Sequence, residues 1–233
     1  STDSIYYEGN KQSISHESGI PEYILMDPEL LRTLPEYQRK ATMLDALCHA
    51  VESFWSVNAG KESQKVAAEA IRMVLAYEDA YLANQPEGNE KMLLAANLAG
   101  KAINYTKTTA GHAMAYKLTT LYGLAHGHAV ALCVDALWPY MIGHTEDAMD
   151  VRGKAYLDDM FLRLAQVMGC ASSMDAAVKY HEMLEQLHLS RPEVKSVEEL
   201  ELLAGSVNPE RLGNNPVCLK KEVLRSLYAR IAK

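Results

Sequence analysis

Gly and Pro residues divide this chain into helix-length blocks, and that punctuation limits the fold more than any other feature of the sequence. From Leu34 onward apolar residues recur at helical spacing, and the breaks fall at Asn58-Ala-Gly60, Pro86-Glu-Gly88, Gly143 and Gly213-Asn-Asn-Pro216. Pro35 stands where a first helical turn accepts proline, so a helix or helix pair is expected from there to Val57. A second helix is predicted over Lys61–Asn84, with Val66, Ala67, Ala70, Ile71, Val74 and Leu75 on one stripe. A third, Asn89 to about Lys107, carries Ala95, Ala96, Ala99, Gly100 and Ala102. Such small side chains let a neighbouring backbone come close, which predicts a central, crowded helix. Further helices are expected over Ala129–Met141, Val151–Met168, Met174–Leu187, Ser196–Ala204 and Leu219–Ala232.

The first 34 residues differ in texture. Tyr6, Tyr7, Gly9, Gly19 and Pro21 punctuate short extended pieces, and Pro21 to Asp27 reads as a strand stopped by Asp27-Pro28. A lone strand cannot bury its faces, so residues 1–34 are expected to be the tail of a sheet whose other strands lie elsewhere. The predicted class is all-α over 35–233, behind that fragment.

With 233 residues and 48% hydrophobic content, the chain can hold one sizeable core. Its 23 basic and 30 acidic residues leave a formal charge of −7, which repels nucleic acid and anionic membrane. No run of apolar residues reaches transmembrane length, and the polar opening stretch Ser1 to Asn10 lacks a signal pattern. A cytoplasmic protein is expected. Cys48, Cys133, Cys170 and Cys218 form no close pair and read as reduced thiols in or near the core.

The chemistry-bearing stretch is Met43-Leu-Asp45-Ala-Leu-Cys-His49-Ala-Val-Glu52. On a helix, Asp45 and His49 project from one face and make half of a metal site. The other half is expected from the segment around Gly111-His112 and His126-Gly127-His128, where His residues cluster in apolar surroundings. The predicted ligand set is Asp45, His49, His112 and His126. One carboxylate with three imidazoles suits Fe(II), Zn(II), Co(II) or Ni(II) better than Ca(II) or Mg(II). Two neighbouring glycines, beside His112 and His126, are expected to yield room to an ion. His16, His144, His181 and His188 stand among polar residues and are expected at the surface, while Trp55 and Trp138 are expected in the core.

The runs Asp27-Pro-Glu-Leu-Leu-Arg-Thr-Leu-Pro35, Asp45-Ala-Leu-Cys-His49-Ala-Val-Glu-Ser53, His112-Ala-Met-Ala-Tyr116 and Leu121-Tyr-Gly-Leu-Ala-His126-Gly127 together resemble the C-terminal helical domain of the iron-containing alcohol dehydrogenases. The likeness extends from about Gly19 to the C-terminus. It implies a dehydroquinate-synthase-like multi-helix domain, with Asp45, His49, His112 and His126 holding a catalytic Fe(II), or alternatively Zn(II). It also implies hydride transfer with NAD(P)H, a small alcohol or aldehyde as substrate, and a homodimer or higher homo-oligomer. Residues 1–34 would then be the last strands of a dinucleotide-binding domain. The chain has no Gly-Gly pair and no G-x-G-x-x-G, so most of the cofactor pocket is expected to be missing and the chain alone to be inactive.

Tyr116 occupies the position one turn after His112 where many relatives have a further His, so a Tyr hydroxyl or water would replace an imidazole proton relay. Lys101, Lys107 and Lys117 bracket His112 in sequence and suit an anionic aldehyde. This part of the chain is similar to the phosphonoacetaldehyde reductase branch, which makes 2-hydroxyethylphosphonate. His128 fits the family spacing less well and is assigned to the substrate-pocket wall or to helix capping. The competing expectation is a non-catalytic helical module that holds a structural metal or mediates oligomerisation.

Overall fold

A computed structural model describes residues 2–7, 10–16 and 19–232. Gly9 and the opening Ser1 lie outside the described residues. Strand β1 (Thr2–Tyr7) pairs antiparallel with β2 (Asn10–Ser15), Thr2 opposite Ser15 and Tyr7 opposite Asn10. The expected strand from Pro21 to Asp27 is absent: those residues run without strand pairing to a 3-10 helix at Pro28–Thr33. Asp27 caps that helix, its Oδ1 accepting from the Glu29 amide at 3.0 Å. The Asp-Pro pair therefore starts a helical turn where a strand was expected to stop.

Ten α-helices follow among the described residues: α1 (Glu36–Trp55), α2 (Lys61–Leu82), α3 (Pro86–Thr106), α4 (Ala110–Tyr122), α5 (His126–Ile142), α6 (Gly153–Val167), α7 (Ser173–Gln186), α8 (Val197–Gly205), α9 (Pro209–Leu212) and α10 (Lys221–Ile231). The expected helix or helix pair before Val57 is one uninterrupted helix, as its lack of internal Gly and Pro allows. Helix α1 is the hub. It packs against α2, α3 and α5, and α5 in turn packs against α4, α7 and α10. Leu44, Leu47, Cys48, Ala50 and Val51 of α1 are wholly buried, as are Ala129, Val130, Cys133, Val134 and Leu137 of α5.

Trp55 and Trp138 meet edge-to-face in this core with ring centroids 5.3 Å apart, and the Trp55 indole N–H donates to Thr109 Oγ1 at 2.9 Å. Cys48 and Cys133 are buried, Cys170 and Cys218 half-buried, and all four are free thiols. Helix α3 buries Ala95, Ala99 and Ala102 but exposes Ala96, Lys101 and Tyr105, so its small residues serve one close contact face rather than a helix enclosed on all sides. His144 is half-buried, its Nδ1 bonded to the Tyr140 carbonyl at 2.8 Å, whereas His181 and His188 are exposed. No described helix is long and apolar enough to cross a membrane.

Candidate metal centre

Three helix segments bring the predicted ligands together. Asp45 and His49 come from the middle of α1, His112 from the first turn of α4, and His126 is the first residue of α5. His49 Nδ1 lies 3.8 Å from Asp45 Oδ2, His112 Nε2 3.6 Å from Asp45 Oδ1, and His126 Nε2 4.0 Å from the same oxygen. Donor atoms of Asp45, His49 and His112 all fall within 4.8 Å of one another. Ligands of a tetrahedral ion with bonds of about 2.0–2.1 Å sit about 3.4 Å apart, and the three contacts with Asp45 exceed that by only a few tenths of an ångström, although His126 does not join the group of mutually close donors. The rings of His49 and His112 stack at 4.3 Å, and those of His112 and His126 meet at 5.4 Å.

The donor set fits a cation on its own polar atoms. Asp45 Oδ1 and His112 Nε2 are both buried and neither has a hydrogen-bond partner. Two such atoms facing each other across 3.6 Å are too far apart for a hydrogen bond and too well buried for free hydration. A divalent ion would satisfy both.

The electrostatics of these side chains point the same way. Burial alone would raise the Asp45 carboxyl, but His112 foremost, with His49 and His126, holds it well below the usual carboxylate range. His49 is lowered to about 4, first by burial and then by the neighbouring His112 charge. His112 is raised to about 9: burial opposes the charge, but Glu52 and Asp45 flank the ring and outweigh it. Glu52 is wholly buried; it accepts from the Thr109 amide at 3.0 Å and the His112 amide at 3.1 Å, and its Oε2 lies 2.6 Å from His112 Nδ1.

The two glycines act differently from the expectation. A Cβ on Gly127 would lie 2.0 Å from the Ala41 carbonyl oxygen and 2.6 Å from Asp45 Cβ, and one on Gly111 would lie 2.3 Å from Glu52 Oε1. The room they leave is taken by α1, not by an ion. Close helix approach is what brings His112 and His126 to Asp45.

The remaining predicted residues scatter. Tyr116 is half-buried beside the site, its ring 5.8 Å from that of His126 and inclined by 30°. Lys101 is exposed on α3, Lys107 is exposed just past its end at φ +58°, and Lys117 is half-buried on α4. None of the three lysines forms an ion pair among the described residues. His128 is wholly buried, with Nδ1 3.1 Å from Tyr37 Oη, so it belongs to the interior rather than to a pocket wall. Burial lowers its pKa, with the Ser190 backbone working against that. Tyr37 Oη also accepts from the Ala125 amide at 2.9 Å and so pins the residue before His126.

Three participants were missed in the sequence. Glu52 could have been found, because it lies on the same α1 stripe as Asp45 and His49, at seven and three residues' spacing. Tyr37 carries no such signal. Arg211 lies in the four-residue α9, too short for any periodic pattern, yet its guanidinium carbon sits 4.8 Å over the Tyr116 ring.

Comparison with known proteins identifies the family and the fold. The sequence pattern of the "Fe-containing alcohol dehydrogenase family, C-terminal" matches residues 40–232. A phosphonoacetaldehyde reductase from Streptomyces viridochromogenes is 29% identical over 212 residues, covering 89% of this chain and 53% of the relative. Among solved structures, an iron-containing alcohol dehydrogenase from Thermococcus thioreducens superposes with a TM-score of 0.87 at 22% identity, over 99% of this chain and 60% of that one. A sulfoacetaldehyde reductase from Bifidobacterium kashiwanohense, solved in complex with NAD+, gives 0.83 at 27% identity, over 97% and 58%. The chain thus spans about half the length of the curated relatives it matches. In sequence and in helical architecture, this chain belongs to the Fe-containing alcohol dehydrogenase family and carries its C-terminal domain.

Proposed function

We propose that the chain is the metal-holding part of an NAD(P)H-linked reductase of a small anionic aldehyde, with Asp45, His49, His112 and His126 as ligands. The observation that carries the reading is the pair of buried, unpartnered atoms Asp45 Oδ1 and His112 Nε2, with His49 and His126 beside them. A divalent ion held there, Fe(II) by the family's name or Zn(II) by the same donors, supplies Lewis-acid polarisation of the substrate oxygen.

The chain's own residues do the rest. Asp45 contributes the single negative charge and the imidazoles neutral nitrogen, a donor set that would leave a divalent ion with a net positive charge towards substrate. NAD(P)H bound to the complete enzyme would supply hydride to the carbonyl carbon, and the oxygen would then need a proton. The Tyr116 hydroxyl, one helical turn beyond His112, is the proposed proton donor. Residues 1–34 lead in from the dinucleotide-binding part.

An anionic substrate is supported by Arg211, whose planar fork matches phosphonate or sulfonate and whose guanidinium carbon sits 4.8 Å over the ring of the proposed proton donor Tyr116. Two of the relatives above are named for reducing two-carbon aldehydes that carry such groups. Phosphonoacetaldehyde, giving 2-hydroxyethylphosphonate, is the substrate we assign; Lys101, Lys107 and Lys117 are at most outer contributors to the field that attracts it.

Metal analysis by emission spectrometry provides the first test. The chain should hold one equivalent of metal, and His126→Ala should lose it with helix content nearly unchanged, because the core is apolar and independent of the site. Unchanged metal in that variant would refute the ligand assignment. With an N-terminally extended chain, NAD(P)H oxidation should be at least tenfold more efficient with phosphonoacetaldehyde than with propanal. Equal efficiency would refute the anionic substrate.

A further inference from the structure

Glu52 is a carboxylate without a lysine or arginine partner among the described residues, held with no exposure inside the core between α1 and α4. Its two oxygens meet three donors. Oε1 accepts from the His112 amide, while Oε2 accepts from the Thr109 amide and lies 2.6 Å from His112 Nδ1. Helix α4 has no side-chain cap of its own, and the Thr109 hydroxyl oxygen accepts instead from the Trp55 indole N–H. The carboxylate thus takes the place of an N-cap from a different helix, with its charge at the positive end of α4.

We propose that Glu52 is the positioning residue that fixes the tautomer and orientation of His112. The inference rests on the proposed metal centre and deepens it. Holding the proton on Nδ1, where Glu52 accepts it, leaves the Nε2 lone pair on the side of Asp45 Oδ1, 3.6 Å away, where the donor atoms converge. The same carboxylate grips the His112 backbone, so the ring and the helix that carries it are set together. The neutral ring alone would be free to place its proton on Nε2, which would turn a ligand into a donor aimed at the ion. A cap on α4 could be supplied by any short polar side chain at the N-cap. Only an acceptor facing Nδ1 also selects the tautomer.

Histidine 15N NMR of the zinc-loaded chain tests this without any substitution: His112 should show a protonated Nδ1 and a metal-bound Nε2. The reverse pattern overturns the inference while leaving the metal centre standing. Failure of the unsubstituted chain to bind zinc overturns the metal centre itself and this role with it. By calorimetry, Glu52→Gln should weaken zinc binding roughly 10- to 100-fold, the range for losing an outer carboxylate on a metal-bound His. Trp55→Phe loosens the same helix start without touching Glu52, and should lower the melting temperature yet leave zinc affinity within about threefold. Equal losses of affinity in the two variants would mean that helix docking alone carries the effect, and would overturn tautomer control.

Discussion

Replacing Gly127 by Ala should damage the metal centre through helix spacing alone, without altering any ligand. The added Cβ would stand 2.0 Å from the Ala41 carbonyl oxygen and 2.6 Å from Asp45 Cβ, and the first of these obstacles is backbone. Ordinary contact requires roughly 3.2 Å or more, so the start of α5 must retreat from α1 by about 1 Å, whereas metal–ligand distances tolerate only about 0.2 Å. Overpacking of this kind costs about 1–3 kcal/mol, which for a domain of this size lowers Tm by roughly 2–12 °C. Because His126 follows α5 and Asp45 stays on α1, zinc affinity should fall at least tenfold as well. The control is Gly100→Ala in α3, where an added Cβ meets nothing within 4 Å. That change should be neutral or stabilise by about 0.5–1 kcal/mol, since alanine restricts the unfolded chain. Thermal unfolding by circular dichroism and zinc titration calorimetry read both effects. A Gly127→Ala chain that melts and binds zinc like the unsubstituted one would refute the argument that glycine at this position is what permits the ligands to meet.

Metal binding should release protons with a defined pH dependence. His112 is raised from 6.5 to about 9 in the metal-free chain, so its contribution to metal-free stability is present below about pH 6.5 and lost as pH rises through about 9. Binding needs its neutral form, so near pH 7 about one proton should leave per ion and affinity should rise about tenfold per pH unit towards 9. His49, lowered to about 4, adds no proton in that window; its contribution to stability is lost only as pH falls from about 6.5 through about 4. Calorimetry in buffers of different ionisation enthalpy measures the release, and a value near zero would contradict the paired-carboxylate environment of His112. Arg39 offers a perturbation of fold without site: it is buried over the Tyr81 ring at 4.5 Å and donates to the Leu31 and Tyr81 carbonyls and to Asn84 and Asn89. Arg39→Ala should cost about 2–4 kcal/mol by leaving those acceptors unpaired, with zinc affinity unchanged in the folded chain; coincident loss of both would show that the N-terminal part of α1 and the metal centre are not independent.

Much of the architecture was legible because it is local. Asn58-Ala-Gly60 separates α1 from α2 and Gly143 ends α5 as their backbone preferences require, whereas Pro86, read as part of a break before a helix from Asn89, is the first residue of α3; the all-helical class follows from the spacing of these breaks. The pairing of Asp45 with His49 was equally readable, because four residues along a helix fix a direction without reference to anything else. The stretch from Pro21 to Asp27 misled, since apolar residues before Asp-Pro look like a strand whether or not a partner strand exists.

What the sequence by itself determined, then, was the helical class, the breaks between most of the long helices, and which donor types stand on α1. Tertiary structure alone decided that α4 and α5 press their glycines against α1, that Glu52 rather than a residue of α4 serves the start of that helix, and that Arg211 rather than the lysines stacks at Tyr116. The reason is range: helical periodicity is set by neighbours three and four residues apart, whereas the contacts that aim His112 and seat His126 join positions 60 and more residues apart, which no local pattern encodes.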